Sequence, residues 1–245
     1  MKKDASELNS IFINEDINTL FQTIINLKTG ETIGYEALSR GPKDSILNMP
    51  KELFSVADKY NKNYELEILC LKKALSRYSF VKEKLFVNIN LETIEDPVFK
   101  MLGLILLERM LNHSNIPINH MVMEINASNL IKDYEGFQRN IGFYRKKGYQ
   151  IGIDDIGTDL SNLMEFIYIT PDYLKIGIQL VKDIDKNEIN QKKVSEIMNM
   201  ATIEGIEVIA EGIEKEVEFE YLKSIGMCYG QGFYIQRPKS LDSGI

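Results

Sequence analysis

Eight short runs rich in β-branched and aromatic residues, separated by helical patterns or tight turns, leave this chain few architectures to choose from. They are Leu20 to Leu27, Thr32 to Leu38, Leu85 to Leu91, Met121 to Ile125, Tyr149 to Asp154, Tyr173 to Ile176, Glu207 to Glu211 and Met227 to Ile235. Runs of this length and composition read as strands. Lys28-Thr29-Gly30-Glu31 between the first two is a hairpin signal, so that pair is expected to be antiparallel. Later connections carry helical spacing. Leu66, Leu69, Cys70 and Ala74 form one apolar stripe, and Val194, Ile197, Met198 and Ala201 another. Asp96 precedes Pro97 as a cap precedes a first helical residue, and Gly148, Gly205 and Gly226 follow helical runs where a left-handed residue ends a helix. Strands alternating with helices over 245 residues predict an α/β fold, a (β/α)8 TIM-like barrel with one antiparallel strand, with an open doubly wound sheet as the alternative. Residues 1–15 are polar and without a clear period, and read as an arm or linker remnant; residues 16–245 make the domain.

Charge and cysteine content narrow the function. With 29 Lys and Arg against 36 Asp and Glu, the formal charge is −7, which argues against DNA or RNA binding by a basic surface. The apolar run Met101 to Leu107 is far shorter than the ~20 residues of a membrane-spanning helix. The polar opening Met1-Lys2-Lys3-Asp4 is not expected to act as a signal peptide. Cys70 and Cys228 lack metal or redox spacing and are expected to be buried thiols of a cytoplasmic protein.

Chemistry in a barrel of this type sits at the carboxyl ends of the strands. This chain places there Glu36, Asn88, Glu124, Asp154 and Asp155, Lys175, Glu211 and Gln231. Apart from the lysine these are oxygen donors. Carboxylates crowded together need protons or cations between them, and hard oxygen ligands without His or Cys suit Mg²⁺ or Mn²⁺ better than Zn²⁺. His113 and His120 lie away from these strand ends and read as structural or exposed. Neighbours in a regular strand point to opposite faces, but at a strand's last residue the chain bends, and Asp154 and Asp155 are expected to converge on the mouth. Two cations ~3.5–4 Å apart there stabilise both the attacking and leaving oxygens of an in-line displacement at phosphorus.

The chain resembles the EAL-domain phosphodiesterases of bacterial cyclic di-GMP signalling. The markers are Phe21-Gln22, Gly34-Tyr35-Glu36-Ala37-Leu38-Ser39-Arg40, Val87-Asn88-Ile89-Asn90, Met123-Glu124-Ile125, Asp154-Asp155-Ile156-Gly157-Thr158, Pro171-Asp172-Tyr173-Leu174-Lys175-Ile176, Val208-Ile209-Ala210-Glu211-Gly212-Ile213-Glu214 and Gly230-Gln231-Gly232-Phe233. The resemblance implies metal-dependent hydrolysis of cyclic di-GMP to linear pGpG. It implies two Mg²⁺ or Mn²⁺ ions held by Glu36, Asn88, Glu124, Asp154, Asp155 and Glu211. Lys175 would orient the attacking water or steady developing charge, and Glu211 would help take its proton. Gln22, Leu38 and Arg40 match positions that hold the dinucleotide, and Gln231 would support the water or metal shell. A homodimer through the loop after Asp155 is the implied assembly.

Three departures keep a second function open. Where the family usually reads Glu-Ile-Thr-Glu, this chain has Glu124-Ile125-Asn126-Ala127. The loop Asp154-Asp155-Ile156-Gly157-Thr158-Asp159-Leu160-Ser161-Asn162 carries Asp159 and Leu160 in place of a glycine and an aromatic. The usual Lys-Ile-Asp is Lys175-Ile176-Gly177. Each change touches the surroundings of the donors rather than a donor, and such losses typically cost 10–100-fold in metal affinity or activity. The alternative is therefore a catalytically degenerate EAL domain acting as a cyclic di-GMP receptor or a protein-interaction module.

Overall fold

The computed structural model describes residues 2–78, 82–127, 133–161 and 163–241. Helix α1 (Lys2–Asn14) leads into the hairpin β1 (Asn18–Asn26) and β2 (Thr32–Arg40). Helices α2 (Pro50–Lys59) and α3 (Asn63–Arg77) precede β3 (Lys84–Asn88), and α4 (Leu91–Glu95) follows it. A π-helical turn, Phe99–Gly103, runs into α5 (Leu104–His113), then β4 (Met121–Asn126), α6 (Tyr134–Lys147) and β5 (Gln150–Ile156). The rest is α7 (Leu163–Tyr168), β6 (Tyr173–Ile176), α8 (Ile178–Val181), α9 (Glu188–Glu204), β7 (Glu207–Ala210), α10 (Glu216–Ser224) and β8 (Tyr229–Gly230). The strands close into a barrel in chain order. β1 is antiparallel to both β2 and β8, and every other pairing is parallel. This is the expected α/β barrel, and the open sheet is excluded by its closure.

Period two along the strands builds the interior and decides where the donors stand. One set of alternate residues, Ile24, Phe86, Val122, Tyr173 and Ile209, fills the barrel's inside as a separate apolar cluster. The other set, including Val87, Met123, Ile153, Leu174 and Val208, faces the helices and joins the main core. Two residues beyond the inner apolar layer, the same parity gives Asn88, Glu124, Lys175 and Glu211. The floor of apolar side chains thus carries a polar layer at the carboxyl ends.

Four expectations need correction. Residues 2–14 are not an irregular arm: Leu8 and Ile11 of α1 are buried against Leu53, Ala57, Leu66 and Cys70. Burial of two such side chains contributes roughly 1.5–3 kcal/mol each, enough to seat the helix. Strand β3 stops at Asn88, because Asn90 N–H and the Thr93 hydroxyl both bind the Glu67 carboxylate and turn the chain into α4. Strand β8 covers Tyr229–Gly230 alone, so Gln231 follows the strand rather than lying within it. Cys70 is buried as expected, but Cys228 is exposed. Among the described residues, no helix is long and apolar enough to cross a membrane.

Candidate active site

Lys175 is the centre of the polar layer. Its side chain has no exposed surface, and its Nζ lies 2.7 Å from Glu211 Oε1, 2.9 Å from Glu124 Oε1, 3.1 Å from Glu36 Oε2 and 3.4 Å from Asp154 Oδ1. Strand register sets the depth of each group. Glu124 pairs with Gly152, two residues below Asp154 on the same face of β5, and is completely buried, whereas the Asp154 side chain is 13% exposed. A Cβ at position 152 would stand 3.3 Å from Glu124 Cγ, so glycine gives that side chain its room. Gln231 Nε2 ties the rim together, donating to Glu36 Oε2 at 2.6 Å and Glu211 Oε1 at 2.7 Å. Asn88 Nδ2 donates to Glu36 Oε1 at 3.1 Å.

One ammonium does not balance four carboxylates in a desolvated pocket. Burial, with lesser pushes from neighbouring carboxylates, holds the Glu124 and Glu211 carboxyls well above their ordinary range despite the lysine's opposing pull. Burial alone would lower the Lys175 ammonium, but Asp154, Glu124, Glu211 and Glu36 together raise it well above its usual value. Glu124 Oε1 and Oε2, Asp154 Oδ1 and Lys175 Nζ are buried and none makes a contact with hydrogen-bond geometry. The ammonium is held mainly by charge, with its shortest contact to Glu211. Orphaned carboxylate oxygens around a point of negative potential are a donor set that fits a hard divalent cation. Among the described residues no three His, Cys, Asp or Glu groups already form a metal-sized nest; the lysine stands where the carboxylates meet.

Asp155 stands at the edge of the ring. The strand pairing slips between Ile153 and Ile156, and Asp155 adopts φ 57° within that irregularity. Its side chain is exposed, with Oδ1 close to Gly177, and it stays in the field of the ring: burial and the Asp154 charge raise its carboxyl while Lys175 lowers it. Of the doubled aspartate, Asp154 is within ion-pair distance of Lys175, and Asp155 acts on the same mouth from its edge. The dinucleotide-holding positions divide similarly. Leu38 and Arg40 line a cleft of about 350 Å³ beside the mouth, with Phe54, Asn88, Glu124 and Asn126. Arg40 is half-buried, and its Nη1 donates to Ser39 O at 2.8 Å. Gln22 stands across from Glu36 in the hairpin, buried, with Nε2 donating to Gln236 O at 3.1 Å.

The loop after Asp155 is held through the backbone. Ala127 N–H donates to Asp154 O at 2.8 Å, Lys193 Nζ on α9 donates to Thr158 O at 2.7 Å, and Asp159 Oδ1 accepts from Ser161 N–H at 3.0 Å. Ala127 lines a cavity of about 430 Å³ with Asp155, Thr158, Asp159 and Gln179. Asn162 lies outside the described residues. Two contributors escape a reading by strand ends. Phe54 and Asn126 carry no chemical motif. Glu67 did leave a signal, a lone acid inside the apolar stripe of α3; it is buried and fixes the turn that follows Asn88.

A closed (β/α)8 barrel with a buried lysine in a ring of oxygen donors defines a barrel whose polar site lies at the carboxyl ends of its strands. A family model for the EAL domain matches residues 5–238, and the chain belongs to that family. It is 28% identical over 249 residues to the probable cyclic di-GMP phosphodiesterase PdeI of Escherichia coli, covering 96% of this chain and 30% of that protein. It is likewise 28% identical over 236 residues to the cyclic di-GMP phosphodiesterase PdeA of Borreliella burgdorferi, covering 94% of this chain and 35% of that one. The chain thus spans about a third of the length of these curated relatives. The fold matches the Bacillus subtilis YkuI protein, solved with cyclic di-GMP and calcium, at TM-score 0.81 and 24% identity, covering 96% of this chain and 59% of that one.

Proposed function

We propose that this chain is a cytoplasmic, metal-dependent phosphodiesterase that hydrolyses cyclic di-GMP to linear pGpG in bacterial second-messenger signalling. The observation that carries the reading is the buried Lys175 within 3.4 Å of four carboxylates at the barrel mouth. That concentration of charge serves neither packing nor an uncharged ligand. The names of the relatives supply the substrate class.

Two Mg²⁺ or Mn²⁺ ions, when bound, neutralise the anionic phosphodiester and acidify the attacking water. Glu36, Asn88, Glu124, Asp154, Asp155 and Glu211 are the residues that would hold them. Glu211 is the least deeply sunk of the acids around Lys175, with 17% of its side chain exposed, and it takes the proton from the water as its oxygen bonds to phosphorus. Lys175 meets the charge that develops on the phosphoryl oxygens. Gln231, bonded to both Glu36 and Glu211, keeps these carboxylates turned to the mouth. Arg40 presents a planar fork to the second phosphate, Leu38 packs the base in the adjoining cleft, and Gln22 holds the hairpin edge of the same site. A homodimer contact on the loop after Asp155 belongs to the same reading, and light scattering across a concentration series tests it.

Incubation with cyclic di-GMP and Mg²⁺ or Mn²⁺, followed by product chromatography, tests the activity. Appearance of pGpG, lost in Glu124→Gln, supports it. Nucleotide binding without pGpG at high protein concentration sinks it in favour of the receptor reading. Two observations favour that second reading: Asp155 stands at the edge of the Lys175 ring, and Ala127 leaves a cavity behind the loop.

A further inference from the structure

Asn88 is the last residue of β3, and the sheet secures it from one side. The register between β2 and β3 ends at Ala37 with Val87, whereas Asn88 still pairs with Glu124 on β4, and Ile89 N–H donates to Glu124 O at 2.9 Å. Beyond Ile89 the chain leaves the barrel. Asn90 precedes α4 in an extended conformation and does not cap that helix with its own side chain. The exit is fixed from α3 instead. Glu67, 2% exposed, accepts from Asn90 N–H with one carboxylate oxygen and from the Thr93 hydroxyl with the other. A carboxyl is a costly way to fill a helix interface. Burial pushes it up to about 7 even against these two bonds, while Leu66, Leu71 and Ala74 of the same helix pack without a polar side-chain atom. What an apolar side chain cannot supply is a two-oxygen acceptor, and backbone N–H groups at the start of a helix need one. Asn88, Ile89, Asn90 and Glu67 all line the cleft of about 350 Å³ beside the mouth.

We propose that Glu67 is a positioning residue for Asn88: by gripping the turn at Asn90 and Thr93 from α3, it fixes where β3 ends and keeps the Asn88 side chain beside Glu36, ready for a divalent cation. The inference rests on the metal-binding reading above, which counts Asn88 among the donors. Asn88 Nδ2 donates to Glu36 Oε1 at 3.1 Å, so its side-chain oxygen is the atom left for a hard cation. Both oxygens of Glu67 go to the turn, and it acts on Asn88 through the backbone of residues 88–90. A buried hydrogen bond of this kind orients a ligand without touching the ion. With the turn released, β4 alone holds the end of β3, and the Asn88 amide samples positions away from Glu36.

The test is Mn²⁺ titration of the full chain without nucleotide, read by loss of the free-ion electron paramagnetic resonance signal. Glu67→Leu weakens Mn²⁺ binding by about 10–100-fold, the scale of losing a group that orients a ligand. Glu67→Gln keeps an acceptor for Asn90 N–H and a polar partner for Thr93, and stays within about threefold of the native chain. Asn88→Ala weakens binding to a similar extent as Glu67→Leu. Adding Glu67→Leu to Asn88→Ala weakens it by less than about twofold more, the non-additivity of a residue that acts through another. Leu66→Ala, next to Glu67 on α3 but buried in the cluster with α1 and α2, lowers the melting temperature and leaves Mn²⁺ affinity unchanged. Where Glu67→Leu does not fold, Thr93→Val takes its place, with a loss of about threefold that disappears in the Asn88→Ala background. Native affinity in a folded Glu67→Leu, or in Thr93→Val, overturns the inference and leaves the metal reading intact. Losses that simply add in the Asn88→Ala background, or an equal loss in Leu66→Ala, also overturn it. If the native chain binds no Mn²⁺ at millimolar concentration, the metal reading falls and this inference with it.

Discussion

Lys175 Nζ and Glu124 Oε1 lie 2.9 Å apart at the bottom of the barrel mouth, and neither side chain has any exposed surface. Lys175 is the cation that all four carboxylates around it share, so the loss of the lysine is costly while the loss of one acid is not. Replacing Lys175 by Met leaves four carboxylates with no counter-charge, and metal-free stability falls by about 3–5 kcal/mol. Urea unfolding in EDTA measures the loss. Mn²⁺ narrows the gap, because a divalent ion supplies the charge that the lysine gave. An unchanged midpoint in EDTA would show that the lysine is not the counter-ion of the ring.

Glu124→Gln should move stability and activity in opposite directions. Burial already pushes this carboxyl well above its ordinary range, so a neutral amide of the same shape relieves repulsion. We expect metal-free stability to rise by about 1–2 kcal/mol and phosphodiesterase turnover to drop by more than about 100-fold. Paired unfolding and pGpG assays check this. A variant that is both less stable and fully active would remove Glu124 from the site.

Glu67 gives a pH signature separate from the mouth. Burial raises its carboxyl from 4.5 to about 7, against the pull of the Thr93 hydroxyl and Asn90 N–H. Between those two values the folded chain holds the proton and the unfolded chain does not, so this group's contribution to stability falls as pH rises through the window. It levels off above about 7. The full effect is on the order of 3 kcal/mol. Glu67→Gln keeps an acceptor for Asn90 and a donor for Thr93, and should flatten the decline between pH 5 and 7.5. Unfolding free energies at pH 5.5 and 8 for both chains decide it; identical slopes would sink the assignment.

Ala127→Glu probes the cavity behind the loop. A glutamate there reaches a space of about 430 Å³ shared with Asp155, Thr158 and Gln179, and can accept from the loop backbone. Combined with Asp159→Gly, it should raise pGpG formation by about 10–100-fold. No gain, with the fold unchanged by circular dichroism, would show that this loop does not limit turnover.

Much of the site is legible in the sequence alone. Glu36, Glu124, Asp154, Lys175 and Glu211 could be placed at one mouth because strand alternation and parallel closure leave strand ends nowhere else to go. Leu38 and Arg40 are named as site residues only by the resemblance to the family. The edge position of Asp155 was not legible: the same alternation says nothing about a left-handed residue inside a slipped register. Helix α1 was missed because Leu8 and Ile11 are too few to mark a period, and only their docking on α2 and α3 gives the segment its structure.

The sequence by itself determined how many strands there are and about where they run, which connection is a hairpin, which atoms are oxygen donors and which family the chain resembles. The first three follow from short-range spacing and residue chemistry, and the last from the resemblance of eight motifs in order. The tertiary structure alone decided that Lys175 is the common counter-ion of four strands, that Glu67 props the turn after Asn88, and that Asp155 occupies space left by Gly177. Each of these is a relation between elements distant in the chain. Their distances and shared volume come into being only when the barrel closes.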